Sequence, residues 1–312
     1  MPETAVLTRG PAGEESSADE GRHHDGAGRG GRAGRRGRGE RSGRAFAIVL
    51  LLIFGIGFLT PVIGVVLTSF KSNPEIAAHG LWTPSGDLTT DNYLKAWSDG
   101  NARTYLLNSF LVTVPATVIS VVLGSLVGYV VAKLRPKGSG LITLFFVAGL
   151  FVPPQILLIP LFKLFNVNGL YDTLWPMIIV HGGYGISLCT LVMRNFFRSV
   201  PDELREAGLI DGAGEPRILA SVILPVARPA LAALATLQFT FIWNDFLYPL
   251  VFTRSDEVRT VMVGILSLQG QFSVAYGTQA AMAVLASLPT MAVFIAFQKH
   301  FIAGITSGAV KG

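Results

Sequence analysis

Three polar residues interrupt one of the most apolar stretches of the chain. Residues 230–252 read ALAALATLQFTFIWNDFLYPLVF, and Gln238, Asn244 and Asp245 stand among aliphatic and aromatic neighbours. Amide and carboxylate groups are costly in hydrocarbon unless they face protein or water. The chemistry open to them is hydrogen bonding, either to a polar solute passing along the helix or to a neighbouring helix. Gln238 falls near the middle of the run, close to one helical row with Asn244 and Asp245, which lie near its end. All three are candidates for lining a translocation path. Asp245 also suits a structural ion pair or hydrogen bond at the membrane interface.

A second set of residues is suited to recognition. Residues 198–229 form a charged segment between two apolar runs, RSVPDELREAGLIDGAGEPRILASVILPVARP. Its pattern predicts a helix, a turn and a second helix. Pro201 fits a first helical position, where its missing N–H costs nothing. Ser199, with Asp202 three residues on, fits an N-terminal cap. Asp202, Glu203 and Glu206 lie in the early turns, where the helix dipole favours negative charge. Leu204, Ala207 and Gly208 share a stripe, and its small residues would let another backbone approach. Asp211-Gly212, Ala213 and Gly214 turn the chain. Pro216 starts a second helix with Ile218, Leu219, Val222, Ile223 and Val226 on its apolar face, and Pro225 and Pro229 are expected to break or bend it.

Reactive chemistry is harder to place. There is no G-x-x-x-x-G-K-[ST] phosphate loop, no Cys/His metal spacing and no nucleophile elbow with triad partners. His23 and His24 could bind a metal ion, but two adjacent histidines do not by themselves make a site. Neither a catalytic residue nor a metal or cofactor site is expected. Cys189 is the one cysteine, so no intrachain disulfide can form.

The elements that must hold these residues are membrane spans. Half of the 312 residues are apolar and only 14% are charged. With a mean hydropathy of +0.51, this describes an all-α polytopic membrane protein in the lipid bilayer. Residues 1–44 are different in kind. They are dominated by Gly, Arg, Ser, Glu and Ala, and are expected to be a disordered basic tail because they cannot bury enough apolar surface to offset ordering. An Arg/Gly tract can bind RNA or anionic lipid, but a solvated tail that helps fix topology is the reading adopted, and no nucleic-acid partner is expected.

Spans are expected at about 45–67, 105–132, 141–163, 174–193, 230–251 and 279–301, each near the length of about 20 residues that crosses a bilayer. The first run is longer than a signal-peptide core and lacks a convincing cleavage site, so it reads as retained. Prolines recur inside the spans: Pro153, Pro154 and Pro160 in the third, Pro176 in the fourth, Pro249 in the fifth and Pro289 in the sixth. They suit either simple packing or a bundle that lines a path and moves. With the N-terminus inside, the cytosolic pieces hold nine Lys and Arg in the tail, three at 133–137, five at 194–228 and two after 298, against six on the other side. That bias follows the positive-inside rule. It puts both termini and the 198–229 loop in the cytosol and the protein in the plasma (inner) membrane.

The loop resembles the cytoplasmic EAA loop of ABC-importer permeases. That pattern has an E-A-A triplet, three residues and then a glycine, an I-x-L-P or I-L-P about nine residues on, and a further proline. Here Glu206-Ala207-Gly208, Asp211-Gly212-Ala213, Ile223-Leu224-Pro225 and Pro229 occupy those places. Gly208 departs from the usual alanine, at a helix cost of about 1 kcal/mol. The Trp243-Asn244-Asp245-Phe246 segment is similar to one common in sugar-type permeases. The ending QKHFIAGITSGAVKG resembles the tail of a maltose-type subunit that reaches toward the ATPase. The resemblance covers roughly 45–312 and is to type I ABC permeases of the carbohydrate-uptake subfamily.

This resemblance implies six transmembrane helices with a cytoplasmic coupling helix. It also implies a second permease subunit, ABC ATPase subunits that carry the hydrolysis, and an extracytoplasmic solute-binding protein. Glu203, Glu206, Ala207, Gly208, Asp211, Gly212 and Ala213 would meet the ATPase, with Glu206 facing a basic residue there. Leu224, Pro225 and Pro229 would pack the loop, and Gly304 to Gly312 would reach toward the ATPase. The implied solute is a sugar or oligosaccharide. An ion-coupled secondary transporter would need an intramembrane proton or ion relay, for which Asp245 is the only clear acidic residue. A membrane scaffold tethered through the Arg/Gly tail is the other reading, and it would lose its role on deletion of 1–40, whereas a transporter would keep its own.

Overall fold

The computed structural model describes residues 33–83, 86, 88–269 and 275–309, with backbone alone for 33–43, 45 and 300–309. The tail through residue 32, with His23 and His24, and the final Val310, Lys311 and Gly312 lie outside the described residues. The chain divides into two compact units, Met1–Phe58 and Leu59–Gly312.

In the first unit the described chain is the leading part of one helix, α1 (Ala33–Ser69). The helix begins inside the Gly/Arg segment expected to be disordered through residue 44. Arginine is a good helix former, and extending an existing helix avoids the cost of nucleating a new one. From Phe46 on, its large apolar side chains are exposed, Phe46, Leu51, Phe54 and Phe58 among them.

In the second unit α1 ends and two short helices follow, α2 (Asn73–His79) and α3 (Asp91–Ser98). Next comes α4 (Ala102–Tyr129), which runs on through a π-helical turn at Val130–Leu134. α5 (Ser139–Leu150), α6 (Pro154–Val167), α7 (Trp175–Ser199), α8 (Glu203–Ile210) and α9 (Glu215–Ile218) lead to a second π-helical turn, Leu219–Ile223. The chain ends with α10 (Leu224–Trp243), α11 (Leu247–Phe252), α12 (Val261–Ser267) and α13 (Tyr276–Ala309). The fold is all-α. Among the described residues, five helices are long and apolar enough to cross a membrane, and α5 with α6 makes six if that pair is one span.

Two expected spans are built differently from a plain helix. The third, read as 141–163, bends by 92° between α5 and α6. Pro154 has no N–H for the carbonyl four residues back, and Pro153 is held extended at φ −63°, ψ 128°. Two adjacent prolines therefore break the helix where one would only kink it. The fifth, read as 230–251, starts earlier and stops sooner. A candidate span runs from Glu215 to Trp243, and the chain leaves the helix at Asn244. Pro225 and Pro229, expected to break or bend the preceding helix, do not break it and lie within this continuous run. The π-helical turn absorbs the defect: the Leu224 N–H reaches the Leu219 carbonyl, so the ladder is already widened where Pro225 supplies no donor.

The tightest packing is between α4 and α7. Along α4, Ala116, Ser120, Gly124 and Gly128 recur every fourth residue and are buried. Small residues at this spacing let transmembrane backbones approach, since lipid offers no hydrophobic drive for association. A Cβ on Gly124 would lie 2.3 Å from the Cys189 Cβ, and one on Gly128 would lie 2.9 Å from the Arg194 backbone nitrogen. α10 joins this pair and α13: the Trp243 indole donates to the Ala286 carbonyl at 2.9 Å and stacks on Phe239. The N-terminal part of α4 is tied to the chain before α12. Asn108 donates to the carbonyls of Glu257 and Arg259, and the Ser109 hydroxyl accepts the Val261 N–H.

Gly124→Val is expected to cost about 1–3 kcal/mol, as overpacking of a close contact does, and to lower the thermal midpoint of the detergent-purified chain. Gly183→Ala, where no atom lies within 4 Å of the added Cβ, is expected to leave it nearly unchanged.

Candidate functional site

The 198–229 segment is held to the bundle by charge. α7 runs through Ser199, whose hydroxyl donates to the Phe196 carbonyl, so Ser199 ends one helix and does not cap the next. Asp202 takes the N-cap position of α8, but its side chain turns away from the helix. One carboxylate oxygen receives the Lys133 ammonium at 2.5 Å and the other the Arg135 guanidinium at 2.9 Å. Lys133 also donates to the Val200 carbonyl, and its side chain is only 1% exposed. The Lys133 hydrogen bond, more than the charges of Lys133 and Arg135, holds the Asp202 carboxyl below the usual carboxylate range. A depressed carboxylate contributes stability above its unfolded pKa and loses it only as pH falls through the lower, folded value. The contact is therefore complete at neutral pH.

A second tether joins the first turn of α8 and the start of α9 to α4. Glu215, at the start of α9, accepts the Tyr129 hydroxyl at 2.7 Å and the guanidinium of Arg205 from α8. Below these contacts Tyr129, Phe197, Ile218, Ile223 and Ala227 are buried together, with Ala213 and Leu224 packed against them.

The faces of α8 differ from the expected stripe. Gly208 turns inward, where a Cβ would lie 2.9 Å from Ile218 Cγ1. Its missing side chain thus serves packing within the chain, because Arg205 and Gly208 are the positions that face α9. Leu204 and Ala207 point outward with Glu203 and Glu206, and Asp211 and Gly212 are exposed at the turn. Gly212 has φ +75°, which explains a glycine there. Leu209 and Ile210 are also exposed, Ile210 to 85%. Pro225 is half-buried, and Pro229 is exposed.

The polar residues of the fifth span separate. Gln238 and Asp245 line a cavity of about 420 Å³ that also meets α7 and the break between α5 and α6. Gln238 is buried and lies directly over Gly185, which leaves it room. Asp245 accepts the N–H groups of Leu247 and Tyr248, capping α11, and pairs with His181 Nε2 at 3.2 Å. Asn244 lines no part of this cavity; it is exposed and donates to the Thr240 carbonyl.

Four lining residues were not singled out from the sequence: Gln155, His181, Tyr184 and Tyr248. The signal for two of them was present, since His181 and Tyr184 share a face with Gly185 and Leu188 at helical spacing. The Tyr248 hydroxyl is buried without a hydrogen-bond partner among the described residues. Among the described residues, no lysine or arginine lines the cavity. It is a largely apolar pocket with aromatic walls, a few polar groups and one carboxylate, Asp245.

Comparison with known proteins decides what this arrangement belongs to. The binding-protein-dependent transport system inner membrane component family matches residues 101–307. The chain belongs to that family. It is a permease subunit of an ABC importer, which leaves the ion-coupled carrier and the scaffold without support. The chain is similar to the trehalose/maltose transport system permease protein of Thermococcus litoralis, at 32% identity over 86% of this chain and 97% of that one. It is 31% identical to the diacetylchitobiose uptake system permease protein of Streptomyces coelicolor, over 86% and 91%. Among solved structures, a bacterial ABC transporter involved in import of the acidic polysaccharide alginate has a chain that superposes with a TM-score of 0.72. The identity there is 26%, covering 84% of this chain and 98% of that one.

An unpartnered buried hydroxyl costs roughly 1–3 kcal/mol. Tyr248→Phe is therefore expected to raise the thermal midpoint of the purified chain while reducing solute uptake. A fall in stability would mean that the hydroxyl is satisfied within the protein.

Proposed function

We propose that this chain forms one half of the translocation path of a sugar or oligosaccharide importer, driven by ATP hydrolysis on separate subunits. The observation that carries the coupling role is α8. It is a short helix whose N-terminal turn is fixed by ion pairs at Asp202 and Arg205, while Glu203, Leu204, Glu206, Ala207, Leu209 and Ile210 on its outer side are exposed. A rigid projection with mixed acidic and apolar character suits a cleft on another protein, with Glu206 meeting a basic residue of the ATPase. When nucleotide closes the ATPase dimer, α8 is carried with it, the bundle rocks, and access to a site near the midplane switches sides. The chain itself performs no hydrolysis.

In this reading a second permease completes the path, and a solute-binding protein delivers the solute from outside. Both termini and α8 lie in the cytosol, in line with the Lys and Arg bias. The cavity at Gln238 and Asp245 contributes to the path. Its amide, imidazole, carboxylate and phenol groups suit hydroxyl-rich ligands, and its aromatic walls suit sugar rings. With no cation on its wall, an anionic sugar would sit beside Asp245 uncompensated, so the pocket favours neutral saccharides. The trehalose/maltose and diacetylchitobiose relatives agree with such a solute class.

Glu206→Lys is expected to reduce co-purification of the ATPase and to lower uptake about tenfold or more, with the amount of permease in the membrane unchanged. Undiminished ATPase association and uptake would overturn the coupling assignment. Orientation is tested by cysteine labelling, since Cys189 is buried. A Glu203→Cys variant is expected to react with an impermeant maleimide only after the membrane is opened, and a Ser98→Cys variant in intact cells.

A further inference from the structure

Nothing in the chain's connectivity makes α4 a neighbour of the coupling helix. α8 is joined through the backbone to α7 on one side and to α9 and α10 on the other. Both joints are turns, with Pro201 in the first and Gly212 and Gly214 in the second. Yet among the described residues the ionic grips on these joints lead back to α4, directly or through Glu215. Lys133 and Arg135 hold Asp202 before α8, and Tyr129 holds Glu215 after it, while Arg205 of α8 binds the same Glu215. Tyr129 and Lys133 are four residues apart, so they project from one face of the helix.

The grip at the first joint is stiff for an electrostatic reason. The Lys133 ammonium is buried, and among the described residues its partners are Asp202 and the Val200 carbonyl. Taking Asp202 away would leave a desolvated cation without its counter-charge, a costly state. Beyond the grip, α4 lies backbone to backbone on α7 at Gly124 and Gly128. A displacement delivered at the π-helical turn of α4 thus reaches two spans packed with almost no slack.

We propose that the Tyr129–Lys133 end of α4, clasping both joints of α8, is the route by which coupling-helix motion enters the bundle, with Lys133 as its principal positioning residue. The proposal rests on α8 being the element the ATPase moves. It assigns α4, and not the covalently following α10, as the span that is driven first. Asp202, Glu215 and Arg205 are the matching half of the clasp.

The test uses the assembled importer with its ATPase, second permease and binding protein in proteoliposomes. The readouts are ATPase retained, ATP hydrolysed, and solute moved per ATP. Asp202→Asn and Lys133→Met are each expected to retain the ATPase and its basal hydrolysis but to lower solute moved per ATP about tenfold. The double variant is expected to be no worse than the worse single one, as for two ends of one contact. Asp202→Glu, which keeps the charge, is expected to recover part of the ratio. Tyr129→Phe removes one hydroxyl without disturbing the packing, and a smaller fall in the same ratio is expected; it stands in if Lys133→Met fails to fold.

Unchanged solute per ATP in Asp202→Asn and Tyr129→Phe overturns the proposal. So does a loss of bound ATPase that fully accounts for the loss of uptake, since the clasp would then only shape the docking surface. Glu206→Lys separates the two assignments. If it weakens ATPase binding while the clasp variants transport normally, α8 is the docking helix and the α4 route alone is wrong. If it has no effect either, the coupling assignment itself has failed.

Discussion

A lysine ammonium taken out of water must be given back its hydration by the protein, and Lys133 receives it from one carbonyl and one carboxylate. Burying an ion is costly enough that such a group is tolerated only with good geometry on every donor. Asp202 bears the complementary constraint. It stands at the N-cap position of α8, and its carboxylate answers a cation 69 residues away in sequence instead of the N–H groups of its own helix. Fixing these two groups fixes the end of α7, the start of α8 and the end of α4 at one point. The rest of the loop follows: Glu215 takes the second tether, and the turn at Asp211-Gly212 brings Gly208 onto Ile218.

Above that point the bundle is held by shape. Lipid tails are as apolar as leucine, so helices gain little from burying apolar side chains against one another. Association instead depends on close backbone contact and on hydrogen bonds made across helices. The Ala116–Gly128 row supplies the first, and the Trp243 indole on the Ala286 carbonyl supplies the second. This division matches what an importer permease needs, with tight pairs that move as units and looser seams between them. The cavity at Gln238 lies on such a seam, where a broken helix, α5 with α6, meets α7 and α10.

The spans were legible because twenty apolar residues leave few alternatives, and the coupling segment was legible because its glycines, prolines and acids fall at informative spacings. What the sequence hid were matters of partnership. Nothing local to Ser199 or Asp202 says that the carboxylate prefers a distant lysine to its own helix. Gly208 was readable as a small residue, but not which neighbour it admits. The break at 151–153 was announced by two prolines and understated, since each alone would only kink a helix in a membrane. The cavity was half visible: Gln238 and Asp245 stand out by polarity, whereas His181 and Tyr184 lie on a helix with enough aromatic and glycine residues to mask them. Asn244, next to Asp245 in sequence, turns away because the helix ends between Trp243 and Asp245.

Both junctions of the coupling helix with the bundle are flanked by a π-helical turn, at Val130–Leu134 and at Leu219–Ile223. Such a turn holds one residue more than the α-helical ladder accommodates. Loss of a single codon within either would restore a regular helix and leave the helix beyond it facing nearly the same way, since the extra residue is already absorbed in the widened turn. Tyr129 and Lys133 would become three residues apart, a spacing that still shares a face. Single-residue deletions should therefore be better tolerated in these short stretches than in the regular helix on either side, where each would turn everything beyond it by about 100°.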